Sequence, residues 1–112
     1  MTVHYSISLP DPAAARGNDP QLSFSANGAE AFAEQLQDAL RTPVLFERWK
    51  ASQDEPDDVD PAWGATDPQA TVSGRQNDLR IDLVASTSIP GEVLKQRLRW
   101  LAGSHWELRD VR

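Results

Sequence analysis

One stretch constrains the fold of this chain more than any other. From Leu79 to Arg112 it reads LRIDLVAS, TSIPGEVLKQRLRWLAG and SHWELRDVR, a succession of strand, helix and strand signals. Leu79, Ile81, Leu83 and Ala85 alternate with Arg80, Asp82 and Val84, the period near two of a half-buried strand. Ser86, Thr87 and Ser88 break that alternation, and Pro90 fits the first turn of a helix, where a missing N–H costs little. Leu94, Leu98 and Leu101 then recur at i, i+4 and i+7 and share one helical stripe, with Glu92, Lys95, Gln96 and Arg99 opposite. Gly103 supplies the residue that most readily takes the left-handed conformation closing a helix. His105–Val111 returns to period two, Trp106 and Leu108 facing one way, Glu107 and Arg109 the other. The stretch predicts a βαβ unit.

The beginning of the chain carries comparable signals. Val3, Tyr5, Ile7 and Leu9 alternate with His4, Ser6 and Ser8 and predict a first strand, ended by Pro10 and Pro12. Residues 13–21 read as a loop, and Leu22–Ser25 as a short strand with Leu22 and Phe24 on one face. Asn27, with Glu30 three residues on, has the spacing of a helix cap and its reciprocal acid. Ala29–Leu40 places Ala29, Phe32, Ala33, Leu36, Ala39 and Leu40 on one helical face, and Pro43 ends the pattern. Val44–Lys50 resumes β character, and Thr71–Gln76 before the turn-prone Asn77-Asp78 predicts a hairpin strand.

Read this way, residues 22–50 and 79–111 are two strand–helix–strand units. Such a repeat is the logic of a ferredoxin-like α+β fold: a two-layer sandwich whose antiparallel or mixed sheet of four to six strands carries two helices on one face. The 112 residues then form a single α+β domain with a flexible acidic loop at 52–70.

Charge locates that loop. The formal net charge is −6, and Ser52–Ala70 holds Asp54, Glu55, Asp57, Asp58, Asp60 and Asp67 without a Lys or Arg. These six acids equal the whole net charge, so the rest of the chain is neutral. A neutral body offers no basic stripe to neutralise phosphates, which weighs against a nucleic-acid binder, and acid confined to one loop weighs against a DNA mimic. Hydrophobic residues at 39% and charged ones at 25% fit a folded globular chain. There is no cysteine, hence neither disulfides nor thiol chemistry. MTVHYSISLP offers no basic leader and no long apolar run, so the expectation is a cytoplasmic protein without a signal peptide or membrane span. Nine arginines against two lysines fit a GC-rich bacterial genome.

The loop is the obvious place to look for chemistry. Asp54, Asp58 and Asp60 are oxygen ligands that a hard cation would accept, but the spacing lacks the glycine and terminal glutamate of an EF-hand, and Pro56 and Pro61 stiffen the chain. A solvated loop is the expectation, without a metal or other cofactor. Trp63 lies inside the loop and reads either as a partner anchor or as a cover for one end of the sheet. Val93, Arg97 and Trp100 form a semi-apolar flank of the second helix, a surface for a dimer or partner contact or a wrap around the sheet edge. Trp49 and Trp106 belong to strands.

His4 and His105 both fall on expected strands. Paired across the sheet near Glu107 they would offer a transition-metal site, though no HxH or HExxH spacing supports one. No G-x-S-x-G elbow, phosphate-binding glycine loop or closely spaced carboxylate pair occurs. The functional expectation is a non-catalytic protein–protein interaction or regulatory module, a monomer or homodimer with an unidentified protein partner. Its contact residues are Asp54, Glu55, Asp57, Asp58, Asp60, Trp63, Arg97 and Trp100. The alternative is a small-molecule-binding or enzymatic domain with a site between sheet and loop, using His4, His105 or Glu107; a third form is an oligomer joined by sheet faces or edges.

Overall fold

The computed structural model describes residues 2–112. Within them the chain forms four strands and three α-helices: β1 Val3–Leu9, α1 Ala29–Arg41, α2 Val44–Ala51, β2 Thr71–Asn77, β3 Arg80–Thr87, α3 Gly91–Ala102 and β4 Glu107–Val111. The strands make one antiparallel sheet in the order β2-β3-β1-β4. The two alternating segments at either end of the sequence, β1 and β4, are therefore neighbours.

Alternation decides which way each strand faces. Tyr5, Ile7 and Leu9 lie opposite Ala85, Leu83 and Ile81, and all six are buried. The intervening His4, Ser6 and Val84 lie on the other face, where His4 and Val84 are exposed. Between Ser6–Asp110 and Ile7–Leu108 the register of β1 with β4 steps by one residue, so Arg109 is the extra residue of a β-bulge. The β2–β3 hairpin turns through Asp78, at φ 59°, and Leu79. Leu79 thus sits at the tip, 83% exposed, rather than opening the inward set of β3; the inward residues are Ile81, Leu83, Ala85 and Thr87.

The helices bury the stripes their spacing requires. In α1 these are Phe32, Ala33, Leu36, Ala39 and Leu40, and in α3 they include Leu94, Leu98 and Leu101. α1 lies across β2 and β3 and against α3. A glycine in the strand allows this: a Cβ on Gly74 would collide with the Ala29 carbonyl oxygen at the start of α1. α3 ends at Gly103, whose φ of 63° with ψ of −119° is a conformation that glycine adopts readily, although not the left-handed helical closure that the sequence predicts.

Three expectations are corrected. Residues 22–25 form no strand. Leu22 and Phe24 are buried, but the Phe24 and Gly17 amides both donate to the Leu101 carbonyl, so this segment satisfies an orphan acceptor in the last turn of α3. Residues 44–50 form α2, not a strand, so Trp49 is helical and the helices number three rather than two. Finally, α1 begins after Gly28, at φ 94°, with no side-chain cap from Asn27.

Candidate functional site

The acidic segment leaves α2 and rejoins the sheet at β2, and the hydrogen bonds at its two ends fix its course. At the near end, the Ser52 and Gln53 amides donate to the Trp49 and Lys50 carbonyls and continue the winding of α2. At the far end, the Asp67 amide donates to the Leu40 carbonyl at 2.8 Å. Between these anchors lies a strap, residues 54–66, whose backbone amides bond only to strap atoms and to Glu55 and Asp60 within it. Pro56 and Pro61 each start a short 3-10 turn, Pro56–Asp58 and Pro61–Gly64, because a fixed φ and an absent N–H suit that position. Asp60 caps the second turn by accepting the Ala62 amide at 2.9 Å.

The six acids divide into two groups. Asp54, Glu55, Asp57, Asp58 and Asp60 are exposed, and among the described residues none of them is ion-paired. Asp67 differs. Its carboxylate accepts the Ser88 amide at 3.0 Å, the Gln69 amide at 3.0 Å and the Thr87 hydroxyl at 2.9 Å, joining the strap's exit to the β3–α3 connection. These donors, the Ser88 amide foremost, hold its pKa below the usual 3.8 against the opposing effect of burial.

Beneath the strap lies the α3 flank. Arg97 and Trp100 are buried, at 0% and 7% exposure, so the flank is not an exposed ridge. Trp100 stacks on Trp49 of α2, ring centroids 4.9 Å apart, and Phe46 lies 6.1 Å from Trp49. Gly64 packs flat against Phe46, where an added Cβ would lie 2.7 Å from the ring. Trp63 is half-buried against the hydrophobic core. The Arg97 guanidinium sits 5.8 Å from the centre of the Trp100 ring and donates from Nη2 to the Ala65 carbonyl at 2.7 Å. Among the described residues, its Nε and Nη1 have no acceptor and no carboxylate pairs with it. Burial pushes its pKa down to about 10, which still leaves it charged at neutral pH. Of the eight residues that the sequence marks as contacts, five are exposed acids on the strap, Trp63 is the strap's half-buried inward side chain, and Arg97 and Trp100 are buried below it.

The remaining candidates do not converge. His4 bonds through Nδ1 to the Ser86 hydroxyl at 2.7 Å, beside the end of β4, and its backbone pairs with Arg112. His105 precedes β4, and Glu107 lies opposite Ser8. At roughly 3.3 Å per residue along β1, that puts the histidines at opposite ends of the strand, on the order of 13–20 Å apart. Trp106 also precedes β4 and donates its indole N–H to the Gly103 carbonyl at 2.9 Å. Among the described residues, no three His, Asp or Glu side chains are grouped to hold a metal ion, and no helix is long and apolar enough to cross a membrane. A cavity of about 400 Å³ opens between the 21–25 segment, α1 and α2, with Ser25, Gln35, Asp38 and Arg48 at its polar side. No protein-family model, curated protein or solved structure matches the chain.

Proposed function

We propose that this protein is a non-catalytic binding module that presents the exposed carboxylates of its strap to a basic protein partner. One observation carries the reading: five acids stand unpaired on a segment that prolines and 3-10 turns shape and that Asp67 and Ala65 tie down. A shaped anionic surface recognises a basic partner with less ordering entropy than a free loop, and charge complementarity speeds the encounter. We further propose that the fold is a ferredoxin-like two-layer α+β sandwich, elaborated by α2 and the strap between α1 and β2. The antiparallel order β2-β3-β1-β4, with α1 and α3 as the crossovers, supports that reading.

The test is a charge-neutral variant rather than a deletion, because deletion would also uncover Arg97 and Trp100. Asp54, Asp57, Asp58 and Asp60 are changed to Asn and Glu55 to Gln, and far-UV circular dichroism checks the fold. A protein captured from a lysate of the source cells by the native chain, lost from the variant and released by moderate salt, supports the reading. Equal capture by both overturns it. A second reading places a small ligand in the cavity between α1 and α2, favoured by its volume and mixed polar lining. A metabolite that raises the native melting temperature, and no longer does so when Gln35 or Arg48 becomes Ala, selects that reading.

A further inference from the structure

Arg97 is costly to keep where it is. A fully buried guanidinium with one hydrogen bond leaves two nitrogens desolvated and unpaired, an arrangement that ordinary packing does not require. Its position in the sequence makes the cost plain, since it occupies the middle of an otherwise apolar stripe of Val93, Leu94, Leu98 and Leu101. The carboxylates of the covering segment do not relieve it, because the strap's five are exposed and Asp67 is engaged with Thr87 and Ser88.

Its cover is lightly attached. Between the anchors at Gln53 and Asp67, the hydrogen bond tying strap to body among the described residues is the one from Arg97 to Ala65; the rest of the attachment is packing by Val59, Trp63 and Gly64. We propose that the strap is a displaceable cover, and that Arg97, on the aromatic bed of Trp100 and Trp49, binds the carboxylate of a small ligand that enters when residues 61–65 lift. A planar carboxylate matches the open donors of the fork, and the indole faces suit an apolar tail. A singly charged carboxylate is favoured over a phosphate dianion because the exposed acids of the strap repel the dianion more strongly. This site is separate from the exposed face of the strap, and it stands whether or not a basic partner binds there.

The test uses the full chain, with butyrate and inorganic phosphate as probes and sodium chloride at matched ionic strength as the reference. Melting temperature and tryptophan fluorescence are read together. Butyrate is expected to give a saturable fluorescence change and a rise in melting temperature beyond chloride. Arg97→Met is expected to abolish both while melting about 4 °C or more above the native chain without ligand, because an unpaired buried charge has been removed. Gly64→Ala, whose methyl collides with Phe46, is expected to loosen the cover and bring half-saturation to a roughly tenfold lower concentration. No butyrate effect on the native chain, or an equal effect on Arg97→Met, overturns the proposal; phosphate acting where butyrate does not overturns the carboxylate assignment. If Arg97→Met loses the native far-UV spectrum, Gly64→Ala decides: tighter butyrate binding supports the site, and unchanged or weaker binding overturns it.

Discussion

Single residues show what the sequence displays and what it conceals. Arg97 is visible as a helix-flank cation, but nothing in its neighbours announces that it is buried. The available signal is its place at i+4 from Val93 and between Leu94 and Leu98, inside the apolar stripe rather than opposite it. A depressed arginine pKa has a measurable consequence. The unfolded chain holds the proton up to the ordinary arginine range and the folded one only to about 10, so unfolding takes up a proton above that value. Stability therefore rises with pH there, and the native chain is expected to gain on Arg97→Met between about pH 10 and 12 in denaturant titrations. Asp67 has the same sign of pH dependence but a different cause, since in its case the fold favours the charged form. Composition counts it with the loop acids, yet it is a structural acceptor for Ser88, Gln69 and Thr87. Its contribution is complete above its unfolded value of 3.8 and disappears as pH falls through the lower folded value. Asp67→Ala is thus expected to melt below the native chain at neutral pH, with the gap closing in acid below about pH 4, as followed by circular dichroism.

Elements were legible where periodicity extended over several turns or pairs. β1, α1, β3 and α3 fall within a few residues of their sequence-based limits, because each buries one clean face. The short segments were not legible. Leu22-Ser-Phe24 alternates like a strand, but its amides are taken by the end of α3, a partner that no local pattern reveals. Val44–Lys50 mixes β-branched and aromatic residues, and tertiary packing overrides that preference: in a helix, Phe46 and Trp49 lie on neighbouring positions of one face and Trp49 reaches Trp100. Trp49→Ala removes that stack from a half-buried site and is expected to lower stability by about 1–3 kcal/mol and to flatten the near-UV circular dichroism. Gly74→Ala inserts a methyl where α1 meets β2 and is expected to cost about 1–3 kcal/mol through the displaced helix start, measured by urea unfolding.

At the scale of the molecule, the sheet order tells why the first helical crossover escaped the sequence. β1 and β2 are separated by 61 residues, Pro10–Ala70, and α2 and the strap occupy most of the stretch after α1, so the unit does not read as strand, helix, strand. The hydrophobic cluster nevertheless runs without interruption from β1 and β3 through all three helices to Trp63. One core predicts one cooperative unfolding transition, with far-UV circular dichroism and tryptophan fluorescence coinciding in urea; separated midpoints would divide the strap region from the sheet.

The central strand β1 has a consequence for how the molecule comes into being. Val3 pairs with Thr87, and Tyr5 pairs with both Ala85 and Val111, so each neighbour of β1 lies some 70 residues or more downstream. At roughly 5–20 residues per second of synthesis, β1 waits about 5–20 s for its second neighbour. Until β3 is made, the nascent chain holds Tyr5, Ile7 and Leu9 without a strand to pair with. The strand made first is the last to be enclosed, and the newborn chain depends on whatever shields an unpaired apolar edge in the cell.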